Sequence, residues 1–372
     1  MTAVNEKRLM RILLIVLAVL VVAATYMGVL AYKSTRGDYI NAIWEKPRSL
    51  VLKSVPRNLR SNYYLQVACN VLMYCYFASS WNIIGGLAGQ FAMGNGLYIG
   101  IGAYCCAIAI SEGSTPYAAI PVAIVVSILL SIGISSLCFR LSGTYFALST
   151  VAFLYVARYI MVGTDAFLGF KTNAGKGMTI PWIGGWKFLQ FQNKAYYYYI
   201  FLFMVVVALI ITNRIMNTRM GTYLVAIRTN QGAAATIGVP VTRYKMYAQC
   251  ISAVMMALGG IMYACMIMQV DPYFVLGYDL SLQVMIFAVI GGTGTLWGPV
   301  VGAAILMLFK EVVRVNLGSS YAQFAQVLFG VMLCLCILFA SGGLVGLANK
   351  FQGSLKSKTN KKPELQAKGK ES

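Results

Sequence analysis

Ten stretches of apolar sequence constrain this chain more than anything else in it: residues 9–32, 63–84, 97–111, 117–139, 144–163, 195–211, 244–269, 280–290, 300–313 and 322–340. A helix that crosses hydrocarbon needs about 20 predominantly apolar residues, because lipid offers no partner to backbone N–H and C=O groups. A chain built this way is expected to be an all-α, polytopic membrane protein of about ten transmembrane helices. Composition points the same way, with 59% hydrophobic residues, 11% charged residues and a mean hydropathy of +0.72. Soluble domains carry roughly 25% charged residues. The run at 9–32 is longer than the apolar core of a signal peptide and lacks a clean small-residue cleavage site, so it reads as a retained first span.

The net charge of +20 does not imply nucleic acid. Its Lys and Arg flank the apolar runs, which is how cations distribute at a membrane surface. Residues 1–8, Arg140, the interval 212–243 and the tail 341–372 are all basic and fall on one side by span parity. That side is expected to be the cytoplasm, with both termini there and a disordered basic tail. The loop 33–62, with seven Lys or Arg against two acids, falls on the opposite side and has no account in this scheme. Outer loops then include 163–194, which is rich in turn residues and suited to meeting an extracytoplasmic partner.

Histidine is absent, and the nine Cys lie inside apolar runs at spacings that match no zinc pattern. No metal, cofactor or catalytic residue is therefore expected. No Asp or Glu lies at the centre of an apolar run, which argues against an ion- or proton-coupled carrier. A membrane-embedded enzyme finds no nucleophile–base set.

Two glycine-rich breaks interrupt the apolar pattern: GGLAGQFAMGNG at 85–96 and GGTGTLWGP at 291–299. Irregular backbone at membrane depth survives where it is buried in protein or lines a cavity, and transporters place paired broken helices at their pathway. Gly89, Gln90, Gly94, Asn95, Gly291, Gly292, Thr293, Gly294 and Trp297 are the resulting path candidates, with Thr295 beside them. Gly100, Gly102 and Gly302, inside helices, read instead as close-packing positions. Arg158, towards the outer end of its span, reads as a snorkelling side chain.

The interval 212–243 carries four Arg and no acid. Residues 221–237 have helix-forming composition, bounded by Gly221 before and by Gly238 and Pro240 after. Tyr223, Ile227, Asn230 and Ala234 then fall on one helical face. Two readings stand: a solvated loop that is helical, or a surface helix that fits a groove on a partner.

Taken together, GGLAGQFAMGNGLYIGIGAY, GTYFALSTVAFLYVARYI, TNAGKGMTIP, AIRTNQGAAATIGVPVTRYK and GGTGTLWGPVVGAA resemble the LivM-type permease subunit of branched-chain amino-acid ABC importers. The resemblance spans about residues 63–340. It implies an ABC importer permease architecture and a cytoplasmic coupling helix within 221–238 that docks an ATPase. The implied docking residues are Gly221, Tyr223, Ala226, Ile227, Arg228, Asn230, Gln231, Ala233, Ala234 and Gly238. It also implies a LivH-type second permease, two cytoplasmic ATPase subunits, a periplasmic substrate-binding protein and an inner-membrane location. Leucine, isoleucine or valine is the implied cargo, although related permeases carry urea or other small amides. The chain departs from the family pattern at Asn95, where His is usual, and at Thr229 and Gln231, where acids are common.

Overall fold

The computed structural model describes residues 51–139, 143–164, 166–167, 170–171, 174–317 and 330. The predicted spans 9–32 and 322–340 and the basic tail lie outside these residues, except that residue 330 is helical.

Helix α1 (Val51–Asn82) passes through a π-helical turn (Ile83–Leu87) into the first glycine-rich break. There follow α2 (Gly96–Ser111), α3 (Pro116–Cys138) and α4 (Thr144–Gly163). Strands β1 (Ala166–Phe167) and β2 (Phe170–Lys171) then form a small antiparallel hairpin. After β3 (Met178–Thr179) come α5 (Ala195–Met216), α6 (Arg219–Thr229), α7 (Gln231–Thr236) and α8 (Val241–Ile267). The described chain ends with β4 (Gln269–Val270), α9 (Pro272–Val275), α10 (Tyr278–Gly292) and α11 (Gly298–Leu317). Local chemistry sets several boundaries. Pro116 opens α3 at a position where its missing N–H costs nothing. Asp271 caps α9, its Oδ1 accepting from the Tyr273 N–H at 2.8 Å.

Among the described residues six helical segments are long and apolar enough to cross a membrane: 65–87, 116–138, 144–163, 195–216, 241–267 and 272–292. Helix α2 is apolar but shorter, and α11 carries Lys310, Glu311 and Arg314 in its last turns. Each of the eight predicted runs between 63 and 313 matches a helix. The expected total of about ten is not reached within these residues. The basic stretch expected to be a loop at 33–62 is helical from Val51 onward, as the first turns of α1.

Helices α1 and α8 form the buried centre, α2 packs on α8, and α10 and α11 close on α1. Trp81, Phe77, Phe201 and Phe287 fill the core. On the periphery α3, α4 and α5 present Leu129, Leu137, Leu148, Val156, Phe203 and Ile210 outward. Such a surface is suited to hydrocarbon or to other membrane helices, and not to water. Close helix contact runs through glycine, as expected. A β-carbon at Gly102 would strike the Ala257 carbonyl, and one at Gly260 would strike the Ile99 carbonyl, so α2 and α8 touch backbone to backbone. Gly100 lies against Leu276, and Gly302 against the Phe287 carbonyl.

At the opposite end from α6 and α7, the 174–194 connection packs onto the main core through Met178, Ile180 and Leu189. β3 pairs with β4. The buried Gln190 accepts from the Ile183 and Gly184 N–H groups at 2.8 and 3.1 Å and donates to the Pro181 carbonyl at 3.0 Å. Trp182, Ile183 and Trp186 remain exposed on this loop.

Candidate functional site

The two glycine-rich breaks meet. Asn82, last residue of α1 and 1% exposed, donates through Nδ2 to the Thr295 carbonyl at 2.9 Å. Its Oδ1 accepts from the Gly294 N–H at 2.8 Å. One amide side chain thus satisfies both a donor and an acceptor of a backbone that has left its helix. Thr295 completes this turn, its Oγ1 donating to the Gly292 carbonyl at 2.8 Å and accepting from the Gly298 N–H at 3.0 Å.

Arg228 of α6 reaches into this junction. Its Nη1 donates to the Gly86 carbonyl at 2.8 Å, 142 residues away in sequence. The same side chain lies over Gly89, which has φ +69°, and beside Gly294, which has φ +76°. A β-carbon at either glycine would press on the guanidinium or its stem, besides being strained at that φ. The inter-helix segment is therefore joined mechanically to both breaks through one side chain. Nothing in the sequence links Arg228 to the breaks or marks Asn82; the fold alone brings them together.

The glycine pairs that open the breaks are helical: Gly85 and Gly86 lie in the π-turn, Gly291 and Gly292 in the last turn of α10. Irregular backbone is confined to 88–95 and 293–297. Gly94 is pressed on the Thr150 backbone of α4, and Gly291 on the Gly298 carbonyl, so both serve close packing. Gln90 and Thr293 are half-buried. Asn95 is 2% exposed, and its Nδ2 has no hydrogen-bond partner. Trp297 is half-buried with its indole N–H unpartnered.

The expected single helix over 221–237 is two helices. Asn230 breaks it with φ −156° and ψ 107°, and its side-chain oxygen accepts from the Ala233 N–H at 3.1 Å. Asn prefers the N-cap to a helix interior, and this local bond prevailed over the helical pattern. Consequently the predicted common face does not survive at Asn230, which is exposed. Tyr223, Ile227 and Ala234 do converge, but inward, packing with Ala226, Val239 and Tyr244 in a small core of their own. Gly221 is buried against the end of α5. The outward side carries Val225, Thr229, Gln231, Ala233 and Ile237, the last 76% exposed. Gly238, at φ +86°, ends the segment.

Two polar clusters escaped the sequence reading. Lys245, near the start of α8 and 2% exposed, donates to Gln231 Oε1 at 2.7 Å and lies 5.9 Å from the Phe139 ring centroid. Gln231 is thus an intramolecular acceptor for a buried ammonium. Between α1, α10 and α11, Gln283 Oε1 accepts from Lys310 Nζ at 3.0 Å and from the Tyr74 hydroxyl at 3.4 Å. The neighbouring Glu311 is 5% exposed. Glu311 falls near the end of the predicted run 300–313 rather than at its centre, and α11, which extends to Leu317, carries it into the packed bundle.

A helical bundle with six candidate membrane spans among the described residues, and two broken segments tied to one another and to a basic inter-helix segment, is an arrangement that membrane transporters use. Its family follows from direct comparison. Residues 63–338 match the family described as "Branched-chain amino acid transport system / permease component", and the chain belongs to it. It is therefore a permease component of an ABC transport system. The high-affinity branched-chain amino acid transport system permease protein LivM of Salmonella typhimurium is 23% identical over 302 residues, 76% of this chain and 69% of that protein. LivM of Escherichia coli is 22% identical over 301 residues with the same coverage. The ribose import permease protein RbsC of Escherichia coli is 25% identical over 137 residues, 36% of this chain and 42% of that protein. No solved structure matches the chain.

Proposed function

We propose that this protein is one permease subunit of an ATP-driven importer that moves leucine, isoleucine or valine, delivered by a periplasmic binding protein, across the bacterial inner membrane. A LivH-type second permease and two cytoplasmic ATPase subunits complete the assembly. The observation that carries the mechanism is the Arg228 bond to the Gly86 carbonyl. It gives a rigid link from a surface segment to both broken helices. Docking of an ATPase on the outward face of α6 and α7, through Val225, Ala233 and Ile237, would displace Arg228 and with it the Asn82-bridged junction. ATP binding would then bias the permease between inward- and outward-open states, as any ligand with differential affinity must. Gln90, Asn95 and Thr293 are the uncharged polar groups proposed to face the path. Orientation with α6 and α7 in the cytoplasm rests on the basic residues of that segment.

An ion-coupled carrier is the rival that Glu311 keeps in view, and family membership weighs against it. Likeness to a ribose permease supports the scaffold rather than the cargo, so a urea or small-amide permease is the alternative within the class. The test is to purify the protein with its native neighbours, ask whether an ATPase accompanies it, and measure ATP-dependent uptake of labelled leucine in proteoliposomes. Ile237→Asp is expected to abolish ATPase association without unfolding the chain. Uptake by this chain alone on an ion gradient, with no ATPase present, would overturn the reading.

A further inference from the structure

Helix α4 holds one charged side chain, Arg158, about a turn and a half from its end. The guanidinium carbon lies 4.8 Å from the Tyr273 ring centroid, 5.5 Å from Tyr155 and 6.0 Å from Tyr159. Its Nε is fully enclosed and has no hydrogen-bond partner. Among the described residues no acid pairs with Arg158. The nearby Asp271 uses its Oδ1 to cap α9. The side chain as a whole is half-buried, and snorkelling accounts for its outer nitrogens but leaves the enclosed Nε without a partner. Aromatic faces attract the cation but accept no hydrogen bond in the plane of the fork. A planar cationic fork that is open at its outer nitrogens and unpaired at Nε matches a carboxylate.

The placement of this cluster adds the second argument. Thr150, Leu154 and Arg158 follow one another at i, i+4 and i+8 along α4. Thr150 Oγ1 accepts from the Met93 N–H of the first break at 3.2 Å. The Tyr155 ring lies 6.5 Å from that of Tyr278, whose hydroxyl meets Met93 Sδ at 3.9 Å. Arg158 therefore stands two turns, about 12 Å, beyond the first break on the same wall. The aromatic lining offers an apolar body a place to lie while the fork holds its charged end.

We propose that Arg158 and its three tyrosines form a loading site for the α-carboxylate of the transported amino acid, at the far end of the wall that leads to the first break. This rests on the transport reading above for the identity of the cargo. The site itself rests on the geometry.

The full chain in phosphatidylcholine nanodiscs is treated with phenylglyoxal, and modification of Arg158 is followed by peptide mass spectrometry. Millimolar L-leucine and 4-methylvalerate, which share a carboxylate, are expected to slow modification several-fold, whereas leucinol and isoamylamine leave it unchanged. Equal protection by all four overturns the proposal. So does an Arg158 that is inert to the reagent in phosphatidylcholine. Protection by phosphatidylglycerol with no further effect of leucine identifies a lipid phosphate as the occupant and also overturns it. In the importer purified with its native neighbours, Arg158→Gln is expected to raise the leucine KM by on the order of ten-fold, the loss of a charge-assisted pair, with Arg158→Lys intermediate. A KM within about two-fold of wild type, at equal protein level, counts against the site. Carboxylate protection without ATP-dependent leucine uptake would sink the transport reading and keep the site. Leucine uptake without protection would sink the site alone.

Discussion

Asn82 shows how one residue organises what long apolar helices leave unsolved. A helix that breaks inside a packed bundle exposes backbone donors and acceptors that water cannot reach. The Asn82 amide takes one of each from the second break. Replacing it with the near-isosteric Leu leaves both unpaired, at about 1–3 kcal/mol for each group. Asn82→Leu is therefore expected to lower the thermal unfolding midpoint in detergent substantially, and an unchanged midpoint would mean the bridge is dispensable. Lys245 follows the same logic. Gln231→Leu removes the acceptor of a buried ammonium and is expected to destabilise by about 1–3 kcal/mol, while Gln231→Glu, which keeps an acceptor and adds a charge, is expected to hold or raise the midpoint. If Leu and Glu at 231 unfold at the same temperature, Lys245 finds its partner elsewhere.

At the scale of elements, the consequential pair is α6 and α7. Both were legible as helix-forming sequence between glycine and proline punctuation, yet the bend at Asn230 was not, because helical periodicity and Asn capping compete locally and the winner depends on packing. The bend turns Ala234, 2% exposed, into the segment's own core. Ala234→Trp is therefore a test of folding, expected to disrupt the contact with Ile227 and Val239, whereas Ala233→Trp and Ile237→Asp test docking. Pull-down of the ATPase, with thermal stability measured alongside, separates the two. Arg228→Ala is expected to spare docking and to uncouple, giving ATP hydrolysis with transport reduced by on the order of ten-fold, since one charged hydrogen bond is lost. Equal loss of hydrolysis and transport would place Arg228 in docking rather than in transmission. Helices α2 and α8 depend on Gly102 and Gly260 for backbone contact, so Gly102→Val is expected to abolish accumulation of folded protein, read by size-exclusion of the solubilised chain.

For the molecule as a whole, hydropathy and periodicity carried the reading a long way. Eight predicted runs between 63 and 313 each became a helix, and three of the close-packing glycines, Gly100, Gly102 and Gly302, were legible from their place inside helices, whereas Gly94, Gly260 and Gly291 were not. These features are local: twenty apolar residues in lipid have little choice but to be helical, whatever lies around them. The glycine breaks were also visible, as places where that rule fails. What tertiary structure alone decided is which distant residues the fold brings to those breaks. Asn82 with Gly294 and Thr295, Arg228 with Gly86, and Lys245 with Gln231 are single polar residues whose meaning comes from partners 14 to 213 residues away. Glu311, near the end of the predicted run 300–313, is likewise buried in the fold. The amino-acid sequence by itself determined a membrane-spanning helical bundle with two interruptions and a basic connecting segment, because backbone satisfaction and side-chain hydropathy act within each segment. Only the tertiary structure decided that the interruptions are one junction and that the connecting segment holds it through Arg228, because hydrogen bonds between segments depend on how the helices pack.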